Sequence, residues 1–592
     1  MIQIGIERLH LTNDDVDDTP NDGESIDLPS QGIVAIVGPN NAGKSLFLQE
    51  MYNVLQIHVA GGLGGAKWIT RADLLKAGDV TAYFEENARV VSASVPPTRM
   101  LLPAHSPISN ERGFKLEQFK LAWEEPPHYP LGEIAKHFSQ HLQALDRGRL
   151  LKDVETREPG QSPTDPLHFI EDSRELQEKL SRLIRSAFGF PVSINRYRHQ
   201  LLSLLMGEPT IADMVPPPSP ELISEYTALT PVHQQGDGIR CFVGLLVAAL
   251  SGGPYITLID EPEAFLHPPQ AKLLGRYLAE QPEAGGQLVV ATHSSDFLEG
   301  LLDGAGQREV AVIRLSLDLE EGVSNRRAHT LPPERVATLW SDPLMRYSRM
   351  LDGLFHNGMV ICEADNDCRF YAAGIDQYLG QEVAHDLVLT HVGGKGRLAK
   401  ALQRVRPLHI KTAVIADIDI LNNTDTVRSL VEAADGDFGM IEADLSVVMR
   451  GVLGENAPPT VRKVKDATNG IVNSRSPDSP LTEPEINQIK DAVRLRSGWK
   501  IMKRAGISFL QGAEYNAASN ILAYLATVGV FVVPTGELES WYPDVEASHG
   551  EAYVTAALES GRLIEMPPAL MEFMAALCGY FDLTGGRSDA VE

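Results

Sequence analysis

One stretch limits the possible folds more than any other: Gly38-Pro39-Asn40-Asn41-Ala42-Gly43-Lys44-Ser45. The apolar run Ile33-Val34-Ala35-Ile36-Val37 precedes it and Leu46-Phe47-Leu48 follows, so the order is strand, loop, helix. Glycines let the backbone curl around phosphate oxygens, and the N–H groups at the start of a helix face the negative charge. Gly38, Asn40, Asn41 and Gly43 form the expected cradle, Lys44 reaches the outer phosphates, and the Ser45 hydroxyl is placed to ligate magnesium. The expected cofactors are ATP and Mg2+, with Mn2+ as an alternative ion.

At 592 residues the chain exceeds a single hydrophobic core and suggests roughly three or four domains, or two large ones with insertions. A formal charge of −27 excludes a general nucleic-acid coat, which needs Lys and Arg, but leaves room for a local basic groove. Cys241, Cys362, Cys368 and Cys578 have no paired metal spacing and read as small buried hydrophobes. No signal peptide and no membrane-length apolar run are evident, so the expectation is a soluble, cytoplasmic protein with no membrane partner.

In chain order, Met1 to Leu11 reads as an opening strand, Asn13 to Glu24 as an acidic surface loop, and Ser25 to Pro29 as a returning strand. Leu131 to Leu151 and Asp172 to Phe188 have helical spacing, which places a helical insertion at about residues 66–220. A polar connector, Arg157 to Pro166, lies between them, and Pro216 to Pro220 is a stiff spacer. Strands are expected at Tyr255 to Glu261, Gln287 to Val290 and Val310 to Leu315, with helices at Ile239 to Leu250 and Pro269 to Glu280. A second α/β unit follows a linker at 331–355 and runs over 356–592. Its strands end in Glu363, in Gly393-Gly394-Lys395-Gly396 and in Asp417-Ile418-Asp419, with a late strand at Phe531 to Pro534. Its insertion spans about 440–525, and Asn456 to Pro484 within it is polar, proline-broken and expected to be flexible.

Asp260 and Glu261 stand where a parallel strand emerges at its carboxyl end, the usual ligand position in such sheets. Asp260 is expected to hold magnesium, Glu261 to orient or deprotonate the attacking water, and His293 at the next strand end to sense the γ-phosphate. In this order with Lys44, these residues resemble the ABC-type ATPases. Gln235-Gly236-Asp237-Gly238 takes the place of that family's signature, though in different wording, and Glu261-Pro262-Glu263-Ala264-Phe265-Leu266-His267-Pro268 is similar to the subgroup allied to chromosome and repair ATPases. The resemblance implies that Gly236 and Gly238 of one copy close over ATP held by another, and hence a homodimer or higher homo-oligomer.

Glu363 and Asp367 sit four residues apart at a strand–helix junction, and Asp417 and Asp419 project from one side of an extended segment. Carboxylates gathered at neighbouring strand ends repel one another unless cations lie between them, and hard oxygen ligands suit Mg2+ or Mn2+. The order strand-Glu, strand-Gly-Gly, strand-Asp-x-Asp resembles a TOPRIM domain, with Ala364 where the family often has glycine. Glu537 and Glu539 are similar to the late acidic element of its nuclease members and would serve a second metal.

An α/β chain with an ABC-type ATPase domain (1–330) followed by a TOPRIM domain resembles the OLD (overcoming lysogenization defect) nucleases, over about residues 1–315 and 355–545. The resemblance implies an ATP-regulated, metal-dependent endonuclease acting on DNA rather than RNA, in anti-phage defence. Glu261, His293, Glu363, Asp417 and Asp419 would be its catalytic residues. Nuclease members commonly carry a catalytic lysine near the C-terminus, yet no lysine follows Lys503. Arg562, Lys395, Lys500 and Lys503 are the candidates to supply that charge. Two other functions compete: a structural or repair ATPase whose second unit only binds nucleic acid, and an effector active only with a partner such as a helicase, a reverse transcriptase or a small DNA.

Overall fold

The computed structural model describes residues 2–12, 24–57, 66–92, 98–100, 115–157, 163, 165–198, 200–211, 217–251, 255–281, 286–320, 323–346, 348–380, 383–456, 458–476, 478–493, 497–545 and 549–583. The acidic loop expected at 13–24 lies almost wholly outside them, as do parts of the 157–166 and 216–220 connectors. The chain is α/β and divides into two compact units, Met1–Tyr347 and Ser348–Glu592.

The first unit is built on a six-stranded sheet. Its strands are β1 (Ile33–Val37), β2 (Ser139–Leu142), β3 (Ile256–Asp260), β4 (Gln287–Ala291), β5 (Val310–Glu320) and β6 (Val323–Leu331), in spatial order β6-β5-β1-β4-β3-β2. All neighbours are parallel except the β5–β6 hairpin. Every residue of β1 and β4 is buried, as continuous apolar runs covered on both faces must be. Helix α1 (Lys44–Gln56) buries Phe47, Leu48, Met51, Val54 and Leu55, a stripe at helical spacing. A three-stranded antiparallel sheet, with Gln3–Leu11 between Ser25–Asp27 and Ile69–Ala77, flanks this core. Buried Gln287 ties the two sheets: its amide accepts from Ile6 N (2.9 Å) and donates to Ile6 O (2.9 Å) and Pro29 O (3.0 Å).

The insertion at 66–220 is not helical throughout, which corrects the sequence reading. It holds strands at Ile69–Ala77, Val192–Arg198 and Leu201–Met206, and it contributes β2 to the main sheet. Leu131 to Leu151 breaks into short turns around β2, because parallel pairing with β3 from Ser139 opposite Ile256 to Leu142 opposite Ile259 overrides the local helical spacing. Arg174–Phe188 is the helix expected there.

The second unit carries a four-stranded parallel sheet, β7 (Gly358–Cys362), β8 (Leu387–His391), β9 (Lys411–Ala416) and β10 (Val530–Val532), in order β8-β7-β9-β10. Helix α3 (Asp365–Leu379) follows β7; between β9 and β10 the chain makes a helix at Thr424–Ala433 and then helices α4 (Gly439–Gly454), α5 (Val461–Val472), α6 (Glu483–Val493), α7 (Gly498–Ala505) and α8 (Gly512–Thr527). The stretch expected to be flexible, 456–484, therefore contains a helix, α5, started by the Thr460 hydroxyl accepting from Lys463 N at 3.3 Å. The stretch expected as a linker, 331–355, is likewise largely structured, with a helix at Pro333–Ser341 and a tight helical segment at Arg349–Phe355. Among the described residues no helix is long and apolar enough to cross a membrane.

Candidate nucleotide and metal sites

Both candidate sites lie at the carboxyl ends of parallel strands, where consecutive strands release their next residues side by side. In the first unit the loop after β1 turns through Gly38 at φ 147°, Asn41 at 67° and Gly43 at 88°. A Cβ on Gly38 would lie 2.4 Å from Leu315 O, and one on Gly43 would lie 3.0 Å from the Trp68 indole nitrogen, so glycine is required at both places. Asn40 and Asn41 are exposed on the outside of the loop. Lys44 is folded back into it: its Nζ donates to Gly38 O (2.8 Å) and Pro39 O (2.9 Å), and the residue is buried. The Ser45 hydroxyl donates to Asp260 Oδ1 at 3.2 Å, which brings together two of the expected magnesium ligands from positions 215 residues apart. Burial raises the Asp260 carboxyl above its usual value, and Ser45 opposes this.

Glu261 follows at φ 47°, with a half-exposed side chain. His293 Nδ1 stands 3.7 Å from Glu261 Oε1 and 3.2 Å from Glu263 Oε1. Glu263 had no assigned role in the sequence, although it lies within the motif after β3. It is buried and accepts from the Thr292 hydroxyl and His293 N, both at 2.8 Å. Arg147 gave no sequence signal at all. It is fully buried, and its guanidinium donates to the carbonyl of Glu261 (2.9 Å) and to that of Asp260, bracing the turn between the two carboxylates. Gly236 precedes helix α2 (Asp237–Leu250) with open space where a side chain would start, whereas a Cβ on Gly238 would lie 2.5 Å from Phe265 O. Gly238 is thus held by packing against the turn that follows Glu261.

In the second unit β7 and β9 are adjacent and in register, Ile361 opposite Val414. Glu363 and Asp417 leave them side by side, and Asp417 N donates to Glu363 Oε1 at 3.2 Å. One oxygen each from Glu363, Asp417 and Asp419 lie within 4.8 Å of one another. Burial, followed by the charge of Asp417, pushes the Glu363 carboxyl up to about 7. Burial raises Asp417 to about 6 against the pull of Lys503. Asp367 is not part of this trio; its Oδ2 accepts from Ala364 N at 2.9 Å and caps α3. Glu537, Glu539 and His549 form a second trio within 4.8 Å, with His549 Nδ1 3.3 Å from Glu539 Oε1. His549 was missed because it stands ten positions after Glu539 in the sequence, with no spacing rule to connect them.

The cations come from elsewhere in the unit. Lys503 Nζ lies 3.1 Å from Asp417, 3.4 Å from Glu537 and 3.7 Å from Asp419. Lys395 Nζ lies 3.0 Å from the Asp419 carboxylate. Arg562 pairs with Asp544 (2.5 Å). The all-carboxylate trio of Glu363, Asp417 and Asp419, with lysines compensating its charge, fits a hard divalent ion, the Glu537–Glu539–His549 trio adds an imidazole nitrogen that Mn2+ accepts, and the crowded glycine loop with Ser45 on Asp260 fits a magnesium nucleotide.

Residues 120–299 match the family model AAA_21, described as "AAA domain... Type IV TA system". That span starts beyond the glycine loop and takes in Asp260, Glu261 and His293. The chain is 25% identical over 175 residues to the Old nuclease of Escherichia phage P2, a match that covers 28% of either protein. Among solved structures it is similar to the SMC head domain from Thermotoga maritima (12% identity, 55% of this chain and 98% of that one, TM-score 0.28). It is also similar to an SmcHead bound to the C-winged helix domain of ScpA (14% identity, 56% and 99%, TM-score 0.31). The resemblance to the OLD family read from the motifs is borne out by the Old nuclease match together with the AAA-domain match.

Proposed function

We propose that the chain is an ATP-regulated, divalent-metal-dependent endonuclease that cleaves DNA as an anti-phage defence effector. The convergence of Glu363, Asp417 and Asp419 within 4.8 Å carries the reading, since a surface that only binds phosphates gains nothing from clustered negative charge. Glu363, Asp417 and Asp419 would hold one ion, and Glu537, Glu539 and His549 a second. Bound divalent ions supply Lewis acidity and charge neutralisation at phosphorus. Lys395, beside Asp419, is positioned to hold a phosphate oxygen close to the carboxylates.

In the first unit the loop N–H groups and Lys44 take the nucleotide phosphates, with Lys44 leaving the Gly38 and Pro39 carbonyls. Ser45 and Asp260 hold the magnesium. Glu261 accepts the proton of the attacking water, and His293, with its Nδ1 3.7 Å from Glu261, senses the γ-phosphate. Gly236 and Gly238 would face the nucleotide of a second copy, making the active species a homodimer or larger.

The test is to incubate the purified full chain with plasmid DNA and Mg2+ or Mn2+. Cleavage by the wild type, lost with Asp417→Ala while ATP hydrolysis continues, supports the reading. Cleavage that survives Asp417→Ala rules out the carboxylate site as its source. No cleavage in either metal, with ATP hydrolysis intact, favours the partner-dependent effector.

A further inference from the structure

Lys503 belongs to none of the strands that carry the carboxylates. It sits on α7, within the long excursion between β9 and β10, yet its ammonium reaches Asp417, Glu537 and Asp419 at 3.1, 3.4 and 3.7 Å. The backbone there has no room to withdraw. A Cβ on Gly536 would lie 2.1 Å from Lys503 O, and Ile507 N donates to Pro534 O at 2.9 Å, so α7 and the turn leading to Glu537 are pressed together. Only the side chain can move. An ammonium among three carboxylates does what a metal ion would do, offsetting their mutual repulsion, and like charges cannot share those oxygens at full strength.

We propose that Lys503 is a built-in counter-cation of the metal site: its ammonium competes with the divalent ion for Asp417, Asp419 and Glu537, and metal loading swings the side chain off them. This rests on the metal-binding reading above and adds a residue that sets how tightly the site loads. Lys395 is the contrasting case. It also donates to the Asp419 carbonyl at 3.1 Å, a bond that metal binding leaves in place.

The experiment is an Mn2+ titration of the full chain without nucleic acid, read by electron paramagnetic resonance of the unbound ion. Lys503→Met is expected to tighten Mn2+ binding about tenfold, because a like charge a few ångströms away is removed. Lys503→Arg keeps the charge and is expected to stay within about threefold of the wild type. Should the Met variant not fold by its melting curve, Lys503→Gln carries the same expectation. Unchanged or weaker binding in the charge-removing variant, with Asp417→Ala removing one class of Mn2+ site, overturns the proposal and leaves the metal reading intact. A wild type that binds no Mn2+ overturns both.

Discussion

Glu261 is a non-glycine residue in the left-handed region, and such backbone strain costs on the order of 1–3 kcal/mol unless its surroundings hold it. Arg147 is what holds it, donating to the carbonyls of Asp260 and Glu261, one on each side of the Glu261 Cα. Glu261→Gln keeps the shape of the side chain and loses its basicity. ATP should still bind, while turnover falls by about 100-fold or more, as loss of a general base does. Wild-type turnover would remove Glu261 from that role. Arg147→Met deletes two charge-assisted hydrogen bonds and should destabilise the first unit by about 3 kcal/mol. Thermal melting should show that loss, and ATPase activity should fall with it, even though Arg147 contacts no phosphate position directly.

At the scale of elements, the parts legible in the sequence were those whose pattern is long or chemically marked. The buried runs of β1, β3, β7 and β9 end in loops marked by glycine or carboxylate, that of β4 ends in Thr292-His293-Ser294, and each lies where the residues place it. β2 was invisible because four residues, Ser139–Leu142, are too few to show a period of two, and their flanks imitate a helix. The lysines of the metal site were legible only as a composition, since chain spacing cannot tell which of Lys395, Lys500 and Lys503 returns to the carboxylates. The α5–α6 pair offers a test of an element held by its cap. Glu485 accepts from Thr482 N (2.8 Å), the Thr482 hydroxyl (2.7 Å) and Arg475 (2.9 Å), and these bonds hold its carboxyl down to about 2. A carboxylate depressed in the folded state adds stability that is complete above the ordinary value of about 4 and is lost as pH falls towards the folded one. Amide exchange at the start of α6 should therefore speed up between about pH 4 and pH 2. In Glu485→Gln it should be fast throughout and lack that step.

For the whole molecule, the question is whether the two units act on each other. Each has its own sheet and its own candidate site, and on the proposed function the two are coupled through an assembly that nucleotide sets. Cleavage should then differ among no nucleotide, ATP, ADP and a non-hydrolysable analogue, and that difference should vanish in Lys44→Ala. Reciprocity requires that DNA shift nucleotide affinity by the same factor. Equal cleavage rates in all four conditions would mean two independent enzymes on one chain. The bond from Asp417 N to Glu363 Oε1 joins residues 54 apart, and it exists only when β7 and β9 pair in register. Glu537 arrives after a further excursion that includes six α-helices among the described residues, once β10 has joined the sheet. A slip of one residue would turn Asp417 to the opposite face. On the proposed function this amounts to a form of quarantine: an incomplete or misregistered chain lacks the assembled carboxylates, and any cutting would wait on a completed fold.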